Sequence, residues 1–69
     1  MSLGTELKKA REAAGLSQET VAFDAEIDRS YLSDIERDLH SPTVERLLRI
    51  CKAIGVRPSE VFRRMEEGN

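Results

Sequence analysis

The amino-acid sequence predicts an all-α domain made of five short helices. Apolar residues recur every three or four positions in successive segments, which is the spacing of one face of a helix. No segment alternates apolar and polar residues with the period of two that is typical of strands. With 69 residues, the chain is long enough for one domain only. We therefore expect a single domain over residues 1–69, with glycine, proline and N-capping residues between its helices.

The first two helices are defined by their apolar stripes and by the residues that bound them. The stripe of the first helix consists of Leu3, Leu7, Ala10 and Ala14. Gly15 is expected to end this helix, because glycine readily adopts the left-handed conformation of a C-cap. Ser17 is a good N-cap for a second helix. The apolar positions of that helix are Val21, Ala22 and Ala25.

Three more helices follow the same logic. Asp28 is the N-cap candidate of the third helix, whose inner face consists of Tyr31, Leu32 and Ile35. Pro42 suits the first turn of the fourth helix, where its missing N–H costs nothing. The core stripe of that helix is Val44, Leu47, Leu48, Cys51 and Ile54, ending at Gly55. Pro58 opens the fifth helix, with Val61, Phe62 and Met65 on one side.

The small size of the chain favours an oligomer. A domain of this length buries only about 60% of the surface that its unfolded chain exposes. Cys51 is the only cysteine and His40 the only histidine, so the chain can form no internal disulfide and no Cys/His zinc site. Oligomerisation remains as the source of extra stability, and we expect a dimer without metal.

The charge of the chain argues weakly against nucleic-acid binding. The formal net charge is −2 and the isoelectric point is about 5.4, whereas DNA-binding domains are usually basic. Net charge decides little, however, when the charges are sorted by face. Four arginines lie in the central stretch, at Arg29, Arg37, Arg46 and Arg49. We therefore predict a dipolar molecule with one basic face.

Several classes of function are disfavoured. No apolar run approaches the roughly 20 residues that cross a bilayer, and no signal peptide is visible, so we expect a cytoplasmic protein. One loop histidine cannot support a Ser-His-acid site, and the glycines are isolated rather than grouped in a phosphate-binding loop. We expect a binding protein and not an enzyme, with no cofactor and no small-molecule ligand.

The informative span is residues 18–37, which fit two helices joined by a short turn. Such a pair crosses steeply and needs a small residue where the helices approach, which Ala22 supplies. Ile27 provides an apolar residue in the turn. The second helix of this pair is the third helix of the chain. Its outer face has no large apolar residue and could approach base edges in the major groove of DNA. Its residues are Arg29, Ser30, Ser33, Asp34 and Arg37.

The chain resembles the phage-repressor and Cro-like (XRE) helix-turn-helix family. The matching text is REAAGLSQ at 11–18, RSYLSDIER at 29–37 and SPT at 41–43. The resemblance runs from about Leu3 to Phe62, and the run at 28–37 is similar to the controller proteins of restriction–modification systems. It implies a five-helix bundle of the lambda-repressor type, with the helix-turn-helix at helices 2 and 3.

The resemblance also implies roles for single residues. It places Arg29, Ser30 and Asp34 at base-reading positions, with Ser33 beside them, and Gln18 and Arg37 at phosphate-binding positions. It makes Arg11 and Glu36 a structural ion pair. We add four candidate phosphate contacts, Tyr31, His40, Thr43 and Arg46. For Arg46 and Arg49, plain solvation is as good an interpretation as a backbone contact.

Two positions depart from the family pattern. The family often has glycine where this chain has Glu26 and Asp38. Both positions could need a left-handed backbone, which aspartate tolerates better than glutamate.

The chemistry of the outer face leaves alternatives open. Arg29 can donate two hydrogen bonds to guanine O6 and N7, or can reach a phosphate from the first turn of its helix. Asp34 can accept from cytosine N4, or can hold Arg37 or Arg29 in a fixed rotamer.

These observations predict a sequence-specific transcriptional regulator that binds a near-palindromic operator as a homodimer. We expect dimerisation mainly through residues 50–66, with candidate interface residues Leu39, Val56 and Met65, and with Ile50 and Phe62 divided between the core and the interface. The alternative is an antitoxin-like module whose main partner is another protein, which the acidic isoelectric point favours. A redox switch at Cys51 is a third hypothesis, although an inert core cysteine suits that position better.

Overall fold

Five α-helices account for most of residues 2–68, the part of the chain that the computed structural model describes. The helices are α1 Leu3–Ala13, α2 Gln18–Ala25, α3 Arg29–Glu36, α4 Val44–Ile54 and α5 Pro58–Glu67. No strand occurs within residues 2–68. The prediction of an all-α domain with five helices is confirmed.

Most helix boundaries follow from the capping residues. The Ser17 hydroxyl accepts a hydrogen bond from the Thr20 backbone N–H at 3.1 Å and caps α2. Asp28 is the N-cap residue of α3 but makes no side-chain cap hydrogen bond. Thr43 caps α4 through the Arg46 backbone N–H. The placement of Pro42 in the first turn of α4 is therefore wrong: it lies ahead of the cap because Thr43 supplies the capping hydroxyl.

Two non-glycine residues adopt the left-handed backbone, at the two positions where the family pattern often has glycine. Glu26 has φ 59° and Asp38 has φ 62°. A left-handed residue other than glycine costs roughly 1–2 kcal/mol. Asp38 offsets part of this cost, because one carboxylate oxygen accepts from the Gly4 backbone N–H at 3.1 Å and the other from the Ser2 hydroxyl at 2.6 Å. These contacts tie the start of α1 to the end of α3.

The core forms where all five helices meet. Its fully buried large side chains are Leu7, Val21, Leu32, Ile35, Ile50, Cys51 and Val61. Partly buried residues pack around them, among them Ile27, Tyr31, Val56 and Met65. Burial raises the pKa of the Cys51 thiol, which stays neutral in its apolar surroundings. This environment suits an inert packing residue.

The structure corrects the predicted faces of α1 and α4. Val44 and Leu48 are 73% and 49% exposed, because the buried face of α4 is centred on Leu47, Cys51 and Ile54. Ala14 is also exposed, since α1 has ended at Ala13. Ile50 was predicted to be divided between the core and the dimer interface. It is wholly buried in the protomer's own core and cannot contact a partner.

Within residues 2–68, no helix is both long and apolar enough to span a bilayer. Nor does that part of the chain group three or more His, Cys, Asp or Glu side chains so that they could hold a metal ion.

Candidate nucleic-acid interface

Helices α2 and α3 form a helix-turn-helix unit whose inner residues are those predicted from the sequence. Ala22 is 2% exposed and lies where α2 packs in the core, and Ile27 in the turn packs against the same cluster. Leu32 and Ile35 anchor the inner side of α3. Because the core holds α3 by this side, its opposite side is left to solvent.

The outer side of α3 carries only polar and charged residues. Arg29, Ser30 and Arg37 are exposed, and Ser33 and Asp34 are half-exposed. A helix with short or flexible polar side chains on its free face can enter the major groove of DNA. The structure thus brings the predicted base-reading residues together on one accessible face.

A buried ion pair joins α1 to the end of α3. The Arg11 Nε donates to Glu36 Oε2 at 2.7 Å and its Nη2 donates to Glu36 Oε1 at 3.0 Å. The Arg11 Nη1 donates to the Leu16 carbonyl at 2.9 Å. The hydrogen bond to Glu36 raises the pKa of the Arg11 guanidinium, which remains charged. The ion pair implied by the family resemblance is present and is almost wholly buried.

Gln18 links this ion pair to the outer face of α3. Its amide nitrogen donates to Glu36 Oε1 at 2.9 Å, and its amide oxygen accepts from Arg29 Nη1 at 3.4 Å. The family resemblance implies a phosphate-binding role for Gln18 and a base-reading role for Arg29. The structure gives both residues intramolecular partners, eleven positions apart in the chain.

Asp34 holds basic residues of its own protomer. Its Oδ1 accepts from Arg37 Nη2 at 2.8 Å, and its Oδ2 lies 3.6 Å from His40 Nε2. Of the two partners considered for a fixed rotamer, Arg37 and Arg29, the structure selects Arg37. The Arg37 guanidinium beside Oδ1 offsets part of the repulsion between this carboxylate and DNA phosphates.

Tyr31 organises the side of the interface next to α4. Its hydroxyl accepts from Arg46 Nη1 at 3.3 Å, and the Arg46 guanidinium lies 5.2 Å from the centre of its ring. The His40 ring is 6.0 Å away, tilted by 37°. Tyr31, His40 and Arg46 therefore form one cluster of three predicted phosphate-binding residues. Thr43, the fourth, supplies the cap of α4.

Arg49, for which the sequence is compatible with either plain solvation or a backbone contact, adds a basic group on the same side as Arg46 and Tyr31. It lines a groove of about 490 Å³ together with Arg46, Tyr31 and the turn residues Glu26, Ile27 and Asp28. Its Nε is buried and finds no hydrogen-bond partner within residues 2–68. Arg46 and Arg49 give this groove two basic side chains.

Of the features that differ from the sequence-based expectations, some had a signal in the sequence and others had none. The Gln18–Arg29 contact joins the first residues of two helices, and no local pattern reports it. The exposure of Val44 and Leu48 could have been predicted, because they share a helical face with the charged residue Lys52, whereas Leu47 and Ile54 share a different face.

Comparison with known proteins gives a consistent picture. A family model described as "Helix-turn-helix" matches residues 7–61, which is most of the chain. The chain is 37% identical over 49 residues to control protein C.BamHI of Bacillus amyloliquefaciens, covering 71% of this chain and 60% of that protein. The chain therefore spans less than two thirds of the length of this curated relative.

Solved structures of controller proteins have the same fold. The restriction–modification controller protein C.AhdI of Aeromonas hydrophila superposes with a TM-score of 0.83 at 38% identity, over 87% of this chain and 91% of that one. The controller protein C.Esp1396I, solved as a tetramer in complex with its natural 35 base-pair operator, superposes with a TM-score of 0.84 at 31% identity. This superposition covers 94% of this chain and 86% of that one. The family match and the shared fold show that this chain belongs to the XRE-like helix-turn-helix family.

Proposed function

We propose that the chain is a sequence-specific DNA-binding transcriptional regulator that acts as a homodimer on a near-palindromic operator. The observation that carries this proposal is the free polar face of α3, held rigidly by Leu32 and Ile35 in the core. The similarity to a controller protein bound to its operator supports it. A regulator of this kind works where the DNA is, so we place it in the cytoplasm and assign it no catalytic step.

The interface divides into residues that read bases and residues that hold the backbone. Arg29 reads guanine from the first turn of α3, and Ser30, Ser33 and Asp34 face the neighbouring base pairs. Gln18, Arg37 and the cluster of Tyr31, His40 and Arg46 hold phosphates on either side of the groove, with the Thr43 hydroxyl next to them. Contacts of the second kind fix register without carrying sequence information.

Replacing Arg29 with alanine tests the base-reading role. We expect a loss of about 1–3 kcal/mol in binding to the duplex that the wild type selects from a random library, with relaxed preference at one base pair in each half-site. The loss arises because a paired hydrogen bond to guanine disappears, whereas the phosphate contacts remain. Fluorescence anisotropy against the selected duplex and its single-base variants measures both effects.

The matched control is Arg63→Ala. Arg63 is an exposed arginine on α5 that pairs with Glu60 and Glu67, so its loss removes the same formal charge away from the interface. An Arg29→Ala protein that keeps the affinity and preference of the control would contradict the assignment.

The dimer surface that the structure favours differs from the predicted one. Val44 and Leu48 lie one turn apart on the exposed side of α4, and Leu39 precedes them at 61% exposure. We define these three residues as the α4 apolar surface and propose that it meets its own copy in a twofold dimer. Phe62, at 44% exposure, remains a further candidate, whereas Val56 and Met65 are half-buried in the protomer.

Replacing Leu48 with glutamate is expected to dissociate the dimer. Two copies of the new carboxylate would be buried near the twofold axis, where charge without a partner is strongly disfavoured. Sedimentation equilibrium should then give the monomer mass. Binding to an operator with two half-sites should also weaken, because no dimer holds two recognition helices about 34 Å apart. The helical circular dichroism should be unchanged.

Phe23→Glu is the matched control for the dimer test. Phe23 is 83% exposed on α2, so the same kind of substitution is made outside the α4 apolar surface. If Leu48→Glu remained dimeric, as the control should, the dimer would have to use another face.

The exposed Phe23 and the net charge of −2 favour a second candidate function, an antitoxin-like module that binds a protein. Recovery of one stoichiometric protein partner, together with failure of the wild type to enrich any duplex at moderate salt, would support this candidate over the first.

A further inference from the structure

We propose that Gln18 is a positioning residue for Arg29, and that Glu36 sets the direction in which the Gln18 amide points. The inference rests on the proposed function, and it assigns part of the base preference to a residue pair that includes no base-reading side chain. The observation that carries it is the continuous path from the buried Arg11–Glu36 pair through Gln18 to Arg29.

The first step of the argument is the chemistry of Glu36. An ionised carboxylate only accepts hydrogen bonds, and this one is 2% exposed beside Arg11. A side-chain amide next to it must therefore turn its NH2 group, and not its oxygen, toward the carboxylate. The distance of 2.9 Å from Gln18 Nε2 to Glu36 Oε1 agrees with this orientation.

The second step is the consequence at the other end of the amide. With its nitrogen fixed toward Glu36, Gln18 presents its oxygen, which can only accept, to residue 29. Arg29 supplies a donor through Nη1 at 3.4 Å. The guanidinium carries five N–H donors, so the remaining ones stay available for guanine O6 and N7.

The third step concerns what this contact does for binding. An unrestrained arginine on the surface must give up much of its rotamer freedom when it reads a base. The contact with Gln18 restricts Arg29 before DNA arrives, which lowers this entropic cost and favours one register of the side chain. Gln18 thereby contributes to discrimination at the base pair that Arg29 reads.

This role is separable from a phosphate contact. The second N–H of the Gln18 amide is free to donate to a phosphate, as the family resemblance implies. Loss of a phosphate contact weakens binding to all sequences about equally, whereas loss of positioning changes the preference at one base pair only. Base preference therefore distinguishes the two roles.

The experiment is a double-mutant cycle in which the measured quantity is the preference for each base in the selected duplexes. The probe is a duplex library randomised over about 20 base pairs, which spans two half-sites one helical turn apart. The full chain is tested as wild type, Gln18→Met, Arg29→Ala and the double variant. Methionine keeps the length of glutamine and its helix propensity but cannot hydrogen-bond strongly. Thermal unfolding verifies that each variant is folded.

We expect Gln18→Met to lower the preference at the Arg29 base pair by at least about 3-fold, as contacting residues in a cycle do. In the Arg29→Ala background, the same substitution should leave that position unchanged. The control is Glu19→Gln, an exposed substitution next to Gln18 on α2. It should leave the preference at this base pair unchanged in both backgrounds.

The outcomes separate this inference from the proposed function. A wild type that enriches no sequence would overturn both. A wild type with a clear consensus, and a Gln18→Met protein that binds all duplexes more weakly with unchanged preferences, would overturn the inference alone. Equal effects of Gln18→Met with and without Arg29 would do the same, because the two side chains would then act independently.

Discussion

Replacing Glu36 with alanine is expected to destabilise the domain by about 3–5 kcal/mol, because it leaves the Arg11 guanidinium buried without its counter-charge. Two hydrogen bonds to Arg11 and one to Gln18 are lost together. Small domains are stable by only about 5–15 kcal/mol, so the variant should be partly unfolded at physiological temperature. Urea denaturation followed by circular dichroism measures the change in the free energy of unfolding.

The matched control for Glu36→Ala is Glu60→Ala on α5. Glu60 likewise forms ion pairs within the chain, with Arg63 and Arg64, but its side chain is 38% exposed. An exposed ion pair contributes about 0–1 kcal/mol, so this variant should be close to wild type in stability. Equal losses in the two variants would contradict the role that we assign to burial.

A double variant distinguishes the effect of the buried charges from the effect of the volume that their side chains fill. Replacing Arg11 with methionine and Glu36 with leucine together removes both charges while keeping apolar volume. This double variant should recover much of the stability that Glu36→Ala loses, since a buried ion pair is often no better than well-packed apolar residues. It should not recover base preference, because Gln18 would lose the carboxylate that orients its amide.

The helices and the centre of the core could be predicted from the sequence, because both depend on local pattern. Ser17, Gly15 and Gly55 act through hydrogen bonds and dihedral angles within one turn of the chain. The prediction of the α4 face was wrong at Val44 and Leu48, since a list of apolar positions does not fix where the buried sector of a helix is centred. Packing of α4 against α2 decides that centre.

The sequence predicts which residues lie on the outer face of α3, but it does not predict the hydrogen bonds between them and their neighbours. The residues on the outside of α3 follow from helical spacing once Leu32 and Ile35 are known to be buried. The partners of Arg29 and Asp34 depend on rotamers and on how closely α2 approaches α3. Gln18 and Arg29 are eleven residues apart, and no periodicity places them within hydrogen-bond distance.

Gly4 is the position where tertiary packing overrides local propensity most clearly. It lies in the first turn of α1, where alanine would normally be the better helix former by roughly 0.5–1 kcal/mol. A β-carbon at this position, however, would overlap the Ile35 carbonyl oxygen and lie 2.9 Å from the Glu36 carbonyl oxygen. The absence of a side chain lets the backbone of α1 rest against the end of α3.

We therefore expect Gly4→Ala to destabilise the domain, at the upper end of the range of about 1–3 kcal/mol for overpacking. The obstacles are backbone oxygens that cannot rotate away, so α1 must move outward and weaken the bonds from Gly4 and Ser2 to Asp38. The same denaturation measurement tests this.

The sign of the effect makes the Gly4 test decisive. Lys8→Gly, at an exposed position in the same helix, reports the intrinsic cost of glycine there and should lose about 0.5–1 kcal/mol. If propensity governed position 4, Gly4→Ala would gain a similar amount. A loss of stability would mean that the contact between α1 and α3 governs position 4. Because Glu36 lies in that contact, the packing of Gly4 also helps to hold the ion pair from which Gln18 and Arg29 are positioned.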